Sequence, residues 1–394
     1  MSNPASRDPV RDWAASGIPH LTGRSDGPPH IPPGRAATVA RELGDWIRVA
    51  SNGTVDIDGA ALLAERAAMT GHTRHGDLTP GGSGRLLPAS DGWVAVSCAR
   101  PDDPLLLGAL IEHEVVEDDL WPQVTDWLAR HTRAEFDERA TLLGVAGGGV
   151  ARSDEIAAAA RDAVQPSGVP RSVEGLLVVD FSALWAGPLC AQLLGLAGAR
   201  VVKVETPQRP DGARRGNADF YRLLHDGHES AVLDPALPAE RATLQRLVAD
   251  ADIVIEASRP RALRGFGLYA EDFVADGTTW LSITAAGRDS DRVGFGDDIA
   301  ASAGLVTSDD AGLMFVGDAI ADPLAGLTAA ALAMCDPGPG KLWDLSMRAT
   351  VAATLGGPHP PKARRDGDQW VVDTTTGTAP LDPPRARNSA RETR

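Results

Sequence analysis

The sequence predicts an α/β protein: a Rossmann-like, doubly wound parallel sheet accompanied by a smaller α+β unit. Three observations predict it. Residues 173–357 hold several strand-length apolar runs, Gly175-Leu-Leu-Val-Val-Asp-Phe181 being the clearest, and an unbroken run suits a parallel strand buried on both faces. These runs alternate with helical stretches, which requires βαβ crossovers and places helices on both faces of one sheet. Residues 9–150 follow another order, in which helices flank a single hairpin.

In chain order, Ala36 to Val49 is an amphipathic helix and Gly59 to Ala68 a second. Leu86 to Ser97 reads as a hairpin turning at Asp91-Gly92, because that dipeptide tolerates the positive φ of a tight turn. Helices follow at Asp103–Ile111, Leu120–His131 and Arg133–Leu143, completing the small unit. Residues 151–172 are an Ala-rich, helix-like stretch ending in Gln165-Pro-Ser-Gly-Val-Pro170, expected to be a linker. The second region, 173–357, begins with the run above, a turn at Ser182–Pro188 and a helix at Leu189–Leu196 that Gly198 ends. Further strands are expected at Arg200–Glu205, Ser230–Asp234, Asp252–Glu256 and Trp280–Thr284, with a helix at Ala239–Ala249. Ligands of such sheets bind at the carboxyl ends of the strands, so the loops after Phe181, Glu205, Glu256 and Thr284 are the ones to watch. The remainder, 358–394, is rich in Pro, Arg, Asp and Thr and is expected to be a disordered tail.

The 394 residues suit two or three domains, and 43% hydrophobic content is enough for real cores. A net charge of −16 argues against nucleic acid as a partner; it argues less against an anionic ligand, since a small basic pocket can sit in an acidic surface. Cys98, Cys190 and Cys335 are widely spaced and show no metal-ligand pattern, as expected of buried thiols in a reducing cytosol. No apolar run reaches membrane-span length, and the first residues lack the apolar core of a signal peptide. The expectation is a soluble, cytoplasmic protein without a metal.

A segment is repeated. Trp13-Ala-Ala-Ser-Gly-Ile-Pro-His-Leu-Thr-Gly23 echoes Ile299-Ala-Ala-Ser-Ala-Gly-Leu-Val-Thr307. A loop rich in Pro, Gly and Asp and an Ala-rich helix follow in both places, and Gly53-Thr-Val-Asp-Ile57 then echoes Lys341-Leu-Trp-Asp-Leu345.

The most informative stretch is Asp318-Ala-Ile-Ala-Asp-Pro-Leu-Ala-Gly-Leu327. It places Asp322 at the mouth of an apolar helix, where a poorly solvated carboxylate is a candidate covalent nucleophile. Read alone, the segment better suits the commoner use of such an Asp, a helix N-cap or first-turn residue favoured by the helix dipole with Pro323 at N1.

Four elements in order shift that balance: Val173-Glu-Gly-Leu-Leu-Val-Val-Asp-Phe-Ser182, Ala186-Gly-Pro188, Leu196-Ala-Gly-Ala-Arg-Val-Val-Lys-Val-Glu-Thr-Pro207 and Ile253-Val-Ile-Glu-Ala-Ser-Arg-Pro-Arg-Ala-Leu263. Together they resemble the amino-terminal part of the class III CoA-transferases, the family of formyl-CoA transferase, carnitine CoA-transferase and α-methylacyl-CoA racemase. Residues 9–150, with Gly81-Gly-Ser-Gly-Arg85, Asp91-Gly-Trp-Val-Ala-Val96 and Thr132-Arg-Ala-Glu-Phe136, resemble the carboxy-terminal part. The chain thus resembles a tail half joined ahead of a head half, with an overlapping segment; the tail beyond 357 is outside the resemblance.

The resemblance implies the class III CoA-transferase fold and a nucleophilic Asp322, in Asp322-Pro-Leu-Ala-Gly326. The equivalent place in the first copy, near Arg35-Ala-Ala-Thr38, has no carboxylate. The resemblance further implies a glycine loop, with Gly82 and Gly84, that closes over the site, excludes water and offers N–H groups to an oxyanion. CoA would meet Leu184, Ala257, Ser258 and Arg264, with Lys203 and Arg214 as weaker contacts. Where the family carries a basic run before the third strand, this chain has His225-Asp-Gly-His-Glu-Ser230, whose histidines are expected at the loop surface. In Phe295-Gly-Asp-Asp298, Asp297 or Asp298 would tune the nucleophile, unless they simply cap a helix. The racemases' His has no counterpart in Ala285-Ala-Gly-Arg-Asp-Ser290. The implied activity is CoA transfer between an acyl-CoA and a small organic acid through an aspartyl mixed anhydride and thioester. The alternatives are an acyl-CoA racemase or isomerase, or a non-catalytic partner subunit. The expected assembly is a homodimer, with the family's interlocked ring as one arrangement.

Overall fold

The computed structural model describes residues 7–114, 119–257 and 261–387. Its centre is a six-stranded sheet whose strands we number in chain order: β1 (Leu177–Asp180), β2 (Arg200–Glu205), β3 (Glu229–Val232), β4 (Ile253–Glu256), β5 (Thr279–Thr284) and β6 (Lys341–Ser346). Every pairing is parallel, and the spatial order is β3-β2-β1-β4-β5-β6. That is the doubly wound order, with its switch point between β1 and β4. In register, Val179 of β1 faces Val202 of β2 and Val254 of β4. Such Val/Ile runs form the middle of the sheet because β-branched side chains pack well on a pleat covered on both sides.

One face is covered by helices Ala186–Leu196 and Ala321–Ala333, the other by Pro238–Ala249, whose Leu244 and Val248 share a core with Val179, Val254 and Trp280. Helix Ala321–Ala333 is apolar all round, and every residue of it except Asp322 is buried. A helix of that kind needs partners on all sides. One of them is helix Ala36–Ala50, whose buried stripe includes Ala36, Ala40, Leu43 and Ile47.

This pairing overturns the expected unit 9–150. Residues of the first two helices and the loops around them belong to the main core with the second region, because their apolar stripe has no cover within the first 150 residues. The separate small core comprises the hairpin Gly84–Ala89/Gly92–Ser97, a third strand Gly147–Gly149, and helices Asp103–Ile111, Leu120–Leu128 and Arg133–Leu143. The hairpin turns one residue earlier than the Asp91-Gly92 signal predicts: Ala89 faces Gly92, so Ser90-Asp91 make the turn, neither with a positive φ, and Gly92 opens the second strand. The linker is a docked helix, Ser153–Ala160, which lays Ile156, Ala159 and Ala160 on the main core.

The tail is also corrected. Residues 364–380 form a three-stranded antiparallel sheet, Arg364–Asp366, Gln369–Thr374 and Gly377–Pro380. Val372, Ala379 and Leu381 are buried in the main core, and Arg387 reaches Glu65 at 2.7 Å. Composition misleads here because few apolar residues suffice when a small hairpin is covered by helix Pro9–Ala15. Residues 388–394 lie outside the described residues.

The repeat is structural. Helix Pro9–Ala15 corresponds to Gly296–Ser302 and Ala36–Ala50 to Ala321–Ala333, although the counterpart of β6 near residues 53–57 is irregular. Each copy is followed by a hairpin, and the packing is crossed. The first copy's leading helix lies on the second hairpin, 364–380, while the second copy's leading helix lies on the first, 84–97. Among the described residues no helix is long and apolar enough to cross a membrane.

Candidate active site

Asp322 lies in the first turn of helix Ala321–Ala333 and is enclosed on most sides, yet it lines a cleft of about 500 Å³. The cleft runs past the carboxyl ends of the strands, where β1 leads into Leu184, β4 into Ala257 and β5 into Thr284 and Phe295. Gly296 is packed against the carboxylate: a Cβ there would stand 2.2 Å from Asp322 Oδ2 and 2.4 Å from the Ala319 carbonyl. Its N–H also stabilises the anion.

Three more acids surround Asp322. Asp297 accepts the Ala319 N–H at 2.7 Å. Asp298 accepts the Ser97 hydroxyl at 2.7 Å and the Phe295 N–H at 2.8 Å, and its other oxygen is buried with no partner among the described residues. Asp318, fully buried, receives Arg66 Nε at 2.8 Å and Nη2 at 2.5 Å, with His72 Nδ1 3.2 Å away. Arg66 also stacks 5.2 Å over Trp185.

One guanidinium among four buried acids decides who ionises. Burial alone would raise Asp318, but Arg66 beside it holds it below the usual carboxylate range. Burial, then the Asp318 charge, pushes Asp297 up. Burial pushes Asp298 up to about 6 despite its hydrogen bonds. Burial also pushes Asp322 up to about 7, with Arg66 opposing and Asp298 reinforcing the rise. A carboxylate that ionises near neutrality and opens onto a cleft has the properties of an activated nucleophile.

The other expected residues divide. Leu184 lines the cleft with its backbone held left-handed, φ 70°, and its N–H donating to Asp211 at 3.0 Å. A branched residue in that conformation is strained and is held there by its surroundings. Ala257 also lines the cleft, while Ser258 lies outside the described residues. Arg264 is not part of the cleft wall; it pairs with Glu271 at 3.3 Å. Arg261, at the start of the same short helix, faces the cleft instead, and so does Arg209 after β2.

Lys203 is corrected from ligand contact to internal brace. It sits opposite Asp180 in the sheet and is buried, with Nζ 3.0 Å from Asp211 and donating to the Ser182 carbonyl. Asp211 in turn fixes Leu184, so Lys203 acts on the cleft only through the loop. Arg214 is engaged by Glu205. His225 and His228, expected at the surface, are packed against this brace: His225 Nε2 is 3.7 Å from Asp211, and burial pushes His228 down to about 4. Gly82 and Gly84 do not present free amides, because both N–H groups are taken by Thr79, through its carbonyl at 2.8 Å and its hydroxyl at 2.9 Å. Their loop nevertheless adjoins the acids, since Gly81 packs beside His72.

Sequence reasoning missed Arg66, His72, Gly296 and the cleft arginines Arg100, Arg209, Arg261 and Arg292. Asp318 opens the very segment that drew attention to Asp322, but its partner stands 252 positions away.

Fold and site together define a doubly wound α/β protein with a carboxylate-centred cleft at the carboxyl ends of its strands. CoA-transferase family III matches residues 173–379, more than half of the chain, and the chain belongs to that family. Among curated relatives it is 30% identical over 207 residues to the succinyl-CoA–D-citramalate CoA-transferase of Chloroflexus aurantiacus, covering 47% of this chain and 52% of the relative. It is 27% identical over 210 residues to the succinate–glutarate CoA-transferase of Agrobacterium fabrum, covering 46% of this chain and 52% of the relative. The chain thus spans about half the length of the curated relatives it matches. Of solved structures, a CaiB/BaiF family protein from Brucella suis aligns with a TM-score of 0.44 at 24% identity, over 52% of this chain and 66% of that one.

Proposed function

We propose that this chain moves CoA between an acyl-CoA and a carboxylic acid, with Asp322 as the acyl carrier. The observation that carries the reading is a single partly open carboxylate, held near neutral pKa, on the wall of a cleft that also presents Leu184, Ala257, Arg209 and Arg261. Family membership and the relatives' names, both CoA-transferases, support it.

The Asp322 anion attacks the thioester carbon and the C–S bond breaks, giving a mixed anhydride and CoA thiolate. The thiolate then attacks the aspartyl carbonyl, releasing the first acid and leaving an aspartyl-CoA thioester. The incoming acid's carboxylate attacks that thioester, re-forming an anhydride and thiolate. Attack of the thiolate on the acceptor's acyl carbon yields the new acyl-CoA and restores Asp322. The steps need no net proton, and they need water kept out. Arg209 and Arg261 line the same cleft, Arg261 with Asp291 at 3.2 Å, and supply charge for the CoA phosphates. Arg66 locks Asp318 as the cluster's permanent anion, so Asp322 titrates near the working pH.

Trapping during turnover with acyl-CoA and hydroxylamine should convert Asp322 to its hydroxamate, detectable by peptide mass. Asp322→Asn should lose at least about a thousandfold in exchange, the scale of removing a covalent catalyst. Exchange that survives the substitution would remove this proposal. So would α-deuteration of a 2-methylacyl-CoA in deuterated water without CoA exchange, which is the racemase outcome.

A further inference from the structure

Residues 381–387 are strapped along the first copy of the repeat and end beside the acid cluster. The Leu381 carbonyl lies 3.1 Å from His20 Nε2, and the Asp382 N–H donates to the Ala14 carbonyl at 2.8 Å. Pro384 fills the space over Gly17, where a Cβ would stand 2.7 Å from the proline Cα. Arg385 pairs with Asp58 at 2.5 Å. Arg387 then closes on Glu65. Its backbone N–H and Nε donate to one carboxylate oxygen at 3.0 and 2.7 Å, and Nη2 donates to the other at 2.7 Å. Nη1 donates to Gln192 of helix Ala186–Leu196 at 2.7 Å.

Glu65 is fully buried, and among the described residues Arg387 is its only ion-pair partner. It opens the short helix Glu65–Thr70, and the next residue is Arg66, which holds Asp318 and stacks over Trp185, the residue before helix Ala186–Leu196. Two guanidinium groups therefore seat the short helix against the same neighbour. A carboxylate without access to water must find a cation or keep a proton. Stripped of Arg387, Glu65 would compete with Asp318 for Arg66, the cation next to it in the chain.

We infer that Arg387 is a positioning residue for the acid cluster: it neutralises Glu65 and so leaves Arg66 to Asp318. Arg387 is outside the cleft wall and acts through Glu65 and Arg66. What the cluster does rests on the CoA-transfer reading; how Arg387 holds it does not.

The readout is the pH at which Asp322 ionises, because Arg66 is the cation that opposes its rise. The other charged groups around Asp322 are Asp297, Asp298 and Asp318, with His72 beside Asp318 and the arginines of the cleft wall. Arg387→Met should move the midpoint of the kcat/KM profile upward from about 7, by at least about 0.5 pH unit. Arg387→Gln, which keeps an N–H donor but no charge, takes its place should that variant not fold. Arg387→Lys keeps the charge and should leave the midpoint within about 0.2 pH unit of wild type. The decisive variant is the double one, Glu65→Gln with Arg387→Met. It lacks both the acid and its partner, so Arg66 returns to Asp318 and the midpoint to about 7, even where the protein melts lower. A role confined to fastening residues 381–387 predicts lower melting in Arg387→Met with an unmoved midpoint. That result would overturn the inference, and so would a double variant displaced as far as the single one. The same midpoint is readable without turnover, from the pH at which Asp322→Asn begins to raise the melting temperature in each background. The expected midpoints by melting, with no exchange on any acyl-CoA, would sink only the transfer reading; exchange with unmoved midpoints would sink only this inference.

Discussion

Asp322 can act as a nucleophile only when ionised, and burial has moved that step to about pH 7. Exchange should therefore rise with pH through about 7 and level off above it, in kcat/KM measured from about pH 5.5 to 9. A flat profile over that range would show that another group carries the acyl unit. The linkage sign follows. The folded carboxyl holds its proton up to about 7, against about 3.9 for an ordinary aspartate, so folding is favoured by this group at low pH and the contribution is lost as pH rises through that window. Asp322→Asn should accordingly stabilise the protein at pH 8, by about 1–2 kcal/mol after allowing for the side chain's partial exposure, with the gain fading towards pH 4. A variant that is inactive yet melts higher is the usual mark of a functional group held against stability. At this scale the sequence was half legible. An Asp before Pro at an apolar helix announces itself locally, whereas Arg66 looks like an ordinary helix cation until the fold brings Asp318 to it.

Helices Ala186–Leu196 and Ala321–Ala333 set the position of Asp322, and Gly326 sets their distance. A Cβ at 326 would stand 2.6 Å from the Ala186 carbonyl and 3.0 Å from Leu189 Cβ. Backbone cannot yield as a flexible side chain can, so overpacking forces the helices apart. Gly326→Ala should destabilise by about 1–3 kcal/mol in denaturant unfolding and Gly326→Val by more, with exchange falling along with stability; an unchanged midpoint for both would mean the helices can re-seat. Elements β1, β2, β4 and β5 were readable because buried parallel strands are continuous apolar runs. β6 was visible only as a repeat echo, since Lys341, Leu342, Trp343 and Asp344 lie at a partly exposed sheet edge and break the run. The hairpin of 364–380 was hidden for a related reason: its strands are short and polar outward, and their apolar residues find cover only against another element.

Across the whole molecule, the repeated segments face each other through helices Ala36–Ala50 and Ala321–Ala333, and each copy's leading helix supports the other copy's hairpin. Cutting the chain after residue 357 would remove Val372, Ala379 and Leu381 from the core and leave Glu65 without Arg387. The truncated protein should melt at least about 5 °C lower and bind a hydrophobic dye; an unaltered melting curve would show that the hairpin adds nothing. Sequence alone could reveal that the segments are alike. It could not show that they pack together in crossed fashion, because that depends on which apolar faces remain uncovered once the sheet has formed.

The Arg66–Asp318 contact spans 252 positions. At ribosomal rates of roughly 5–20 residues per second, the amino-terminal helices wait on the order of 13–50 s after emerging before their counterpart has been made. During that interval their apolar stripes stand bare, and the acid that Arg66 will neutralise does not yet exist. This architecture therefore ties completion of the acid cluster to synthesis of the segment around Asp318, 252 positions after Arg66, and makes the nascent segment that carries Arg66 a natural client for holding chaperones.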